Sequence, residues 1–379
     1  MKRFFVSLLI VLPLLLQAQE VTLRVSVKAA MLPEGGKVYI SGSTQSTGGW
    51  NPSAVELEPI GALHWVRDIR FNAGETVEFK ITGGSWAREA IYEQGTVPQN
   101  FALRMTKDTT LEIFVPFWKS DADMPRTNYG SVVGKVITHK NMEYPKLLPR
   151  DVHVWLPPGY DEEDERYPVL YMHDGQNVFD PATSTMGFDW RADDIADSLI
   201  RAGEMKKIII VAINNTRNRY PEYTRGDTTD AYMEFCSRVL KKFIDENYRT
   251  LPGRENTAVA GSSGGGLISF RLAWEYDDVY LMVAALSPAF KIYNIDYVQP
   301  VYTDPDPPRN LQIYLDNGGL GLEERLQPGI DEMLLALKKQ GYEESGTFVW
   351  KKFPDALHNE KAWAERFHLP LLQFFGTKK

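Results

Sequence analysis

Between residues 20 and 118, apolar and polar positions alternate in short stretches. Val21 to Val27 (VTLRVSV) places an apolar residue at every second position, the period of a half-buried strand. KVYISGS, LHWVRDIRF, ETVEFKIT and TTLEIFVPF follow at intervals of about 10–20 residues, separated by Gly, Pro and Asn turns. This rhythm predicts a small all-β sandwich over 20–118, with Trp65 alternating as a core residue would. Residues 119–130 (KSDADMPRTNYG) are polar, carry Pro125 and Gly130, and read as a linker. From 131 to 379 the pattern changes. DVHVWLPPGY, YPVLYMHDG, KIIIVAIN, NTAVAGSS, MVAALSPAF, NLQIYLDNG and TFVWKKF are apolar runs of strand length. Between them lie helical periods: FDWRADDIADSLIRAG with Ile195 and Leu199 four apart, AYMEFCSRVLKKFIDENY, and LISFRLAWEY. Alternating strands and helices predict a mostly parallel sheet with helices on both faces.

The N-terminus is different again. Lys2 and Arg3 precede 13 mostly apolar residues, Phe4 to Leu16, too few for the roughly 20 that span a bilayer, and Ala18 offers a small residue for cleavage. Residues 1–18 are therefore expected to be a secretory leader, which places the mature protein in a periplasm or outside the cell, with no membrane association after cleavage. The formal net charge of −8 disfavours nucleic acid as a partner. The single cysteine, Cys236, lies in the ordinary helix predicted over 231–248 and excludes both a disulfide framework and a Cys-rich metal site, so neither metal nor cofactor is expected.

The chemistry gathers around Gly261-Ser262-Ser263-Gly264-Gly265, a G-x-S-x-G sequence with a strand before it and a helix after it. A serine hydroxyl is a weak nucleophile and must project from a tight turn toward a base, which makes Ser263 the candidate nucleophile. No lysine follows the glycines, as a phosphate-binding loop would need. In the α/β-hydrolase arrangement the acid and then the histidine follow the serine in the chain. Only His358 and His368 do so; His368 lies within a helical segment, whereas His358 follows the strand TFVWKKF in a loop. Asp316, Glu323 and Glu324 compete for the acid, after NLQIYLD. Gly264 is expected to supply one oxyanion N–H, and Gln176 or Asn177, behind Gly175 in HDGQN, the second.

VWLPPGY (154–160), YPVLYMHDGQNVFD (167–180), the elbow at 261–265, YLDNGG (314–319) and HNEKAW (358–363) together resemble the esterase D-like branch of the α/β-hydrolases, which includes feruloyl and acetyl-xylan esterases, S-formylglutathione hydrolase and enterochelin esterases. The resemblance covers residues 131–376 and implies Ser263 as nucleophile and His358 as base. It favours Glu323 as the acid, although Asp316 matches the first residue of the D-x-G turn and the GLGL spacing departs from the common pattern. The N-terminal region is similar to family-20 carbohydrate-binding (starch-binding) modules through VYISGS, GGWNP (48–52) and ETVEFKITGGSWAREA (75–90). That likeness implies Trp50 and Trp86 as sugar-stacking residues, with Lys80, Glu89 and Asn100 as polar partners; a platform would also draw on Trp65, while the competing role for the domain is a structural cap.

Three functions follow as expectations. The first is a secreted serine esterase releasing feruloyl or acetyl groups from a glycan. The second is a siderophore esterase cleaving a catecholate trilactone, with Arg217, Arg219 and Arg225 meeting an anionic ligand, unless Arg219 and Glu222 form a structural ion pair. The third is a glycan-binding protein without catalysis.

Overall fold

The computed structural model describes residues 20–29, 36–61, 63–92, 100–115, 117–119, 132–184, 188–308 and 310–377. The expected leader, residues 1–18, and all of the expected linker but Lys119 lie outside the described residues. The chain divides into two compact units, Met1–Gly84 with Asn100–Phe117, and Ser85–Gln99 with Trp118–Lys379.

The first unit is a pair of four-stranded sheets. One orders Glu58–Gly61, His64–Asn72, Glu20–Ala29 and Thr109–Val115; the other orders Val55–Glu56, Tyr39–Gly42, Thr76–Thr82 and Phe101–Arg104. The alternation in VTLRVSV explains the central strand. Leu23, Val25 and Val27 are fully buried, and Val27 pairs across to the buried Trp65. Arg24 on the opposite face pairs with Asp68 through two 2.7 Å hydrogen bonds, an exposed contact that fixes register more than it stabilises.

The second unit is built on eight strands, numbered here in chain order: β1 (Lys135–Met142), β2 (Arg150–Leu156), β3 (Val169–His173), β4 (Ile209–Ile213), β5 (Thr257–Ser262), β6 (Met282–Leu286), β7 (Gln312–Gly318) and β8 (Phe348–Phe353). Their order in the sheet is β1-β2-β4-β3-β5-β6-β7-β8. All pairs from β4 onward are parallel; β1–β2 and β2–β4 are antiparallel. The continuous apolar run in β4 serves both faces: Ile209, Val211 and Ile213 enter one buried layer, and Ile208, Ile210 and Ala212 the other. Each such side chain contributes about 1.5–3 kcal/mol by leaving water. This is the α/β-hydrolase fold preceded by a β-sandwich. Every parallel strand points its carboxyl end to the same edge, where site residues gather.

The segment containing Cys236 departs from the sequence expectation. Asp227–Glu234 and Lys241–Asn247 are α-helical, but Phe235–Leu240 between them is a π-helical turn. Phe235, Cys236, Ser237 and Leu240 are buried in this wider turn. Burial pushes the Cys236 thiol up to about 12.

Beside this turn Arg150 makes a bidentate ion pair with Glu222 at 2.8 and 3.0 Å, both side chains essentially without solvent contact, and its guanidinium lies 4.9 Å from the Tyr232 ring centre. Removing one partner strands the other charge in an apolar layer. Glu222→Ala is expected to lower unfolding free energy by about 3–5 kcal/mol in urea titrations, and the double change Arg150→Met with Glu222→Met to recover most of that loss.

Candidate active site

β5 ends at Ser262, and the next residue, Ser263, takes φ 56° and ψ −122° before the helix Gly264–Glu275 begins. A positive φ at a residue with a side chain costs on the order of 1–3 kcal/mol and persists only where surroundings impose it. Here the Ser263 N–H donates to Leu286 O at 3.0 Å and its carbonyl accepts from Ala289 N at 3.0 Å. Gly261 is required sterically, since a Cβ there would lie 2.5 Å from the Gly265 carbonyl oxygen. Gly264 is the first residue of the helix, so its N–H has no intrahelical acceptor.

Of the three competing carboxylates, Glu323 lies against His358: Oε1 is 2.9 Å from Nδ1. Glu323 is fully buried in the first turn of Leu322–Lys339, and its Oε2 accepts from Gly318 N at 3.0 Å. Burial alone would raise its pKa, but the hydrogen bond and charge of His358, the Ser287 hydroxyl and the Arg366 charge outweigh it and hold the carboxyl below its usual range. Asp316 points elsewhere. Its Oδ2 accepts from Tyr314 Oη and Arg366 Nε, both at 3.0 Å, and burial pushes its carboxyl up to about 6 against the opposing Arg366 charge. Glu324 is exposed.

The sequence reading missed the parts that hold this pair in place. Ser287, just beyond β6, accepts from Trp363 Nε1 at 3.0 Å and Arg366 Nη2 at 3.1 Å. Trp363 meets the His358 ring edge-on with centroids 4.9 Å apart and stacks on Trp190 at 5.8 Å. HNEKAW contained Trp363, but nothing in its spacing indicates which loop it reaches.

On the other side of the elbow, the β3 loop carries Asp174 in the left-handed region, φ 59° and ψ 47°. Arg219 grips it with two 2.7 Å hydrogen bonds and Asn215 adds a third at 2.6 Å, so that the carboxyl stays below its usual range despite burial. This corrects the suggested Arg219–Glu222 pair: Glu222 is inward and taken by Arg150, leaving Arg219 to Asp174. The guanidinium also packs on the elbow, 3.1 Å from where a Gly264 Cβ would stand. Gly175–Asn177 form a 3-10 turn in which the Asn177 N–H closes onto Asp174 O at 2.9 Å, and Gln176 Oε1 accepts from Asn215 N at 3.2 Å. His173 is sealed beneath, 2.8 Å from Tyr232 Oη, and burial drives its pKa down to about 3, which keeps it neutral.

Arg217 and Arg225 are exposed. Trp50 and Trp86 are half-buried but fall in different units, Trp86 and the buried Glu89 belonging to the second. Trp65 is 2% exposed and belongs to the sandwich core, which removes it from any sugar platform. Lys80 is half-buried, and Asn100 Nδ2 donates to Glu78 at 3.1 Å. Among the described residues there is no cluster of His, Cys, Asp and Glu able to hold a metal, and no helix long and apolar enough to cross a membrane.

Comparison with known proteins agrees with this architecture. Residues 148–371 match the family described as "Putative esterase", and the chain belongs to that family. The class is thus that of the carboxylic ester hydrolases on an α/β-hydrolase fold. Residues 20–112 match the starch binding domain. An endo-1,4-beta-xylanase/feruloyl esterase of Xylanibacter ruminicola is 25% identical over 241 residues, covering 60% of this chain; the chain spans 31% of that relative's length. A ferulic acid esterase from Anaeromyces mucronatus superposes with a TM-score of 0.50 at 20% identity, over 67% of this chain and 95% of its own. The enterochelin esterase of Shigella flexneri does so at 0.51 and 15% identity, over 94% and 92%. At these identities the superpositions establish the fold alone.

The two carboxylates should separate experimentally. Glu323→Gln is expected to lower kcat by about 10²–10⁴-fold with little change in KM. Asp316→Asn is expected to act on stability instead. A folded pKa near 6, above the ordinary 3.8, means that Asp316 contributes most below pH 3.8 and loses that contribution as pH rises through 6. The stability of the wild type relative to Asp316→Asn should therefore fall by about 2 kcal/mol between pH 4 and 7, measured by denaturant titration across that range.

Proposed function

We propose that this protein is a secreted serine carboxylic ester hydrolase that removes feruloyl or acetyl groups from a glycan, with Ser263 as nucleophile, His358 as base and Glu323 as acid. The observation that carries the reading is the 2.9 Å contact between His358 Nδ1 and a fully buried, ionised Glu323 at the same sheet edge as the strained Ser263 elbow. An ionised carboxylate only accepts hydrogen bonds, so Nδ1 carries the proton and Nε2 is the basic nitrogen.

Ser263 Oγ attacks the ester carbonyl while Nε2 takes its proton. The N–H groups of Gly264 and Gln176 receive the developing oxyanion; Asn177, whose N–H closes the turn, is the weaker of the two sequence candidates for the second donor. The imidazolium then protonates the departing alcohol, and water, deprotonated by the same nitrogen, releases the acid from the acyl-enzyme. Support for a glycan substrate comes from the starch-binding match and the xylanase/feruloyl esterase relative. The basic and apolar start of the chain supports export to a periplasm or the exterior.

The siderophore reading draws on the superposition with the enterochelin esterase, which extends over most of the chain. It is weakened at the arginines: Arg219 is neutralised by Asp174, which leaves Arg217 and Arg225 to meet an anionic ligand.

Ser263→Ala is expected to abolish hydrolysis of p-nitrophenyl acetate, and retention of wild-type turnover would overturn the mechanism. Release of ferulate from methyl ferulate or acetate from acetylated xylan, well above turnover of a ferric catecholate trilactone, decides the substrate class; the reverse order overturns it. Trp50→Ala is expected to weaken retardation of the full chain in gels containing soluble polysaccharide by about tenfold, and an unchanged mobility would favour a structural role for the sandwich.

A further inference from the structure

Glu360 stands two residues beyond His358 and has no role in the chemistry above. It is buried at the start of the helix Glu360–Arg366, and its Oε1 accepts from Asn177 Nδ2 at 2.9 Å. That one contact joins the loop after β8 to the loop after β3, 183 residues apart in the chain. Asn177 in turn closes the 3-10 turn onto Asp174 and follows Gln176 directly. The loop that carries the base is thus tied to the loop that faces the developing oxyanion.

We propose that Glu360 is a positioning residue for the oxyanion loop: its ionised carboxylate fixes the orientation of the Asn177 side chain, and full turnover depends on that charged form. The inference rests on the hydrolase reading of the site. The chemistry of the pair gives the reason. An ionised carboxylate accepts only, so the Asn177 carboxamide must present its NH₂ group. A protonated carboxyl also donates, and the carboxamide can then turn its oxygen inward, so that a single orientation is lost. Burial opposes the charge most strongly. Glu360's own backbone N–H favours it, as does Lys119, whose amide is held by Glu89 O; Asp174 opposes it and Arg219 favours it. The balance sets the carboxyl at about 7, so that the two forms exchange around neutral pH.

Two measurements on the full chain test this. The first is the pH dependence of p-nitrophenyl acetate hydrolysis. As pH falls through 7, kcat/KM of the wild type is expected to drop by up to about tenfold more than that of Glu360→Gln, with KM nearly unchanged, because only the wild type loses a charged carboxylate there. Asn177→Ala and Glu360→Gln are each expected to lower kcat at pH 8 by about tenfold, and the two together to cost nothing further. An equal drop in wild type and Glu360→Gln, or effects that multiply in the double variant, overturn the proposal. The second measurement needs no turnover. With asparagine-selective ¹⁵N labelling, the Asn177 side-chain amide resonance is expected to titrate with a midpoint near 7 in the wild type and to stay flat in Glu360→Gln. A flat wild-type resonance overturns the proposal whether or not the protein is active. An inactive wild type whose Asn177 resonance still titrates supports the Glu360–Asn177 coupling and counts instead against the esterase reading.

Discussion

A carboxylate taken out of water must be met by opposite charge or by hydrogen-bond donors, or it will not stay ionised. Four of the buried carboxylates in the hydrolase unit meet this constraint with a cationic or titratable side chain, each with a different one. Glu222 has Arg150, Asp174 has Arg219, Asp316 has Arg366, and Glu323 has His358. Three of the partners are guanidiniums, which hold their protons at any physiological pH and so act as fixed pins. The fourth is an imidazole, which does not. The same device, a buried acid with a basic group against it, therefore makes structure in three places and, in the role proposed for it, a proton-moving pair in one.

The pins are arranged around the pair that moves. Arg366 bridges Asp316 and Ser287, and Ser287 in turn receives Trp363, whose ring supports His358. Arg219 holds Asp174 beneath the first turn of the elbow helix. The left-handed backbone at Asp174, Ser263 and Ser287 is stable only because these contacts leave no alternative. Strain at one loop is resisted by packing at its neighbours, and no single loop could keep its geometry alone.

Much of this was legible in the chain. Strand rhythm and helical periods anticipated both layers of architecture, since burial on one or two faces writes itself into a sequence at period two or as an unbroken apolar run. G-x-S-x-G marked the elbow because a glycine is sterically forced at position 261. The choice among Asp316, Glu323 and Glu324 was not legible from residues alone: it turns on whether a side chain from inside the strand Gln312–Gly318 or one from the first turn of the next helix reaches the histidine, which no local pattern records. Resemblance to known esterases favoured the residue that lies beside His358. Trp65 and Trp86 show the opposite limit. One is a core residue, and the other groups with a different unit from Trp50, because pairing across long sequence gaps leaves no local periodic mark. The π-turn at Cys236 is likewise a register shift that an amphipathic pattern averages away.

The eight strands do not contribute to the site in chain order. The proposed nucleophile follows the fifth strand, the proposed acid the seventh and the proposed base the eighth, while the loop opposite them follows the third. The residues of the elbow therefore leave the ribosome nearly a hundred positions before the histidine proposed as its base. On that assignment, reactivity requires the last strand and the loop and short helix behind it to be in place on the sheet. Hydrolysis is then a report on complete assembly, and any slowing of that final docking step would lengthen an inert phase between synthesis and activity without altering the finished site.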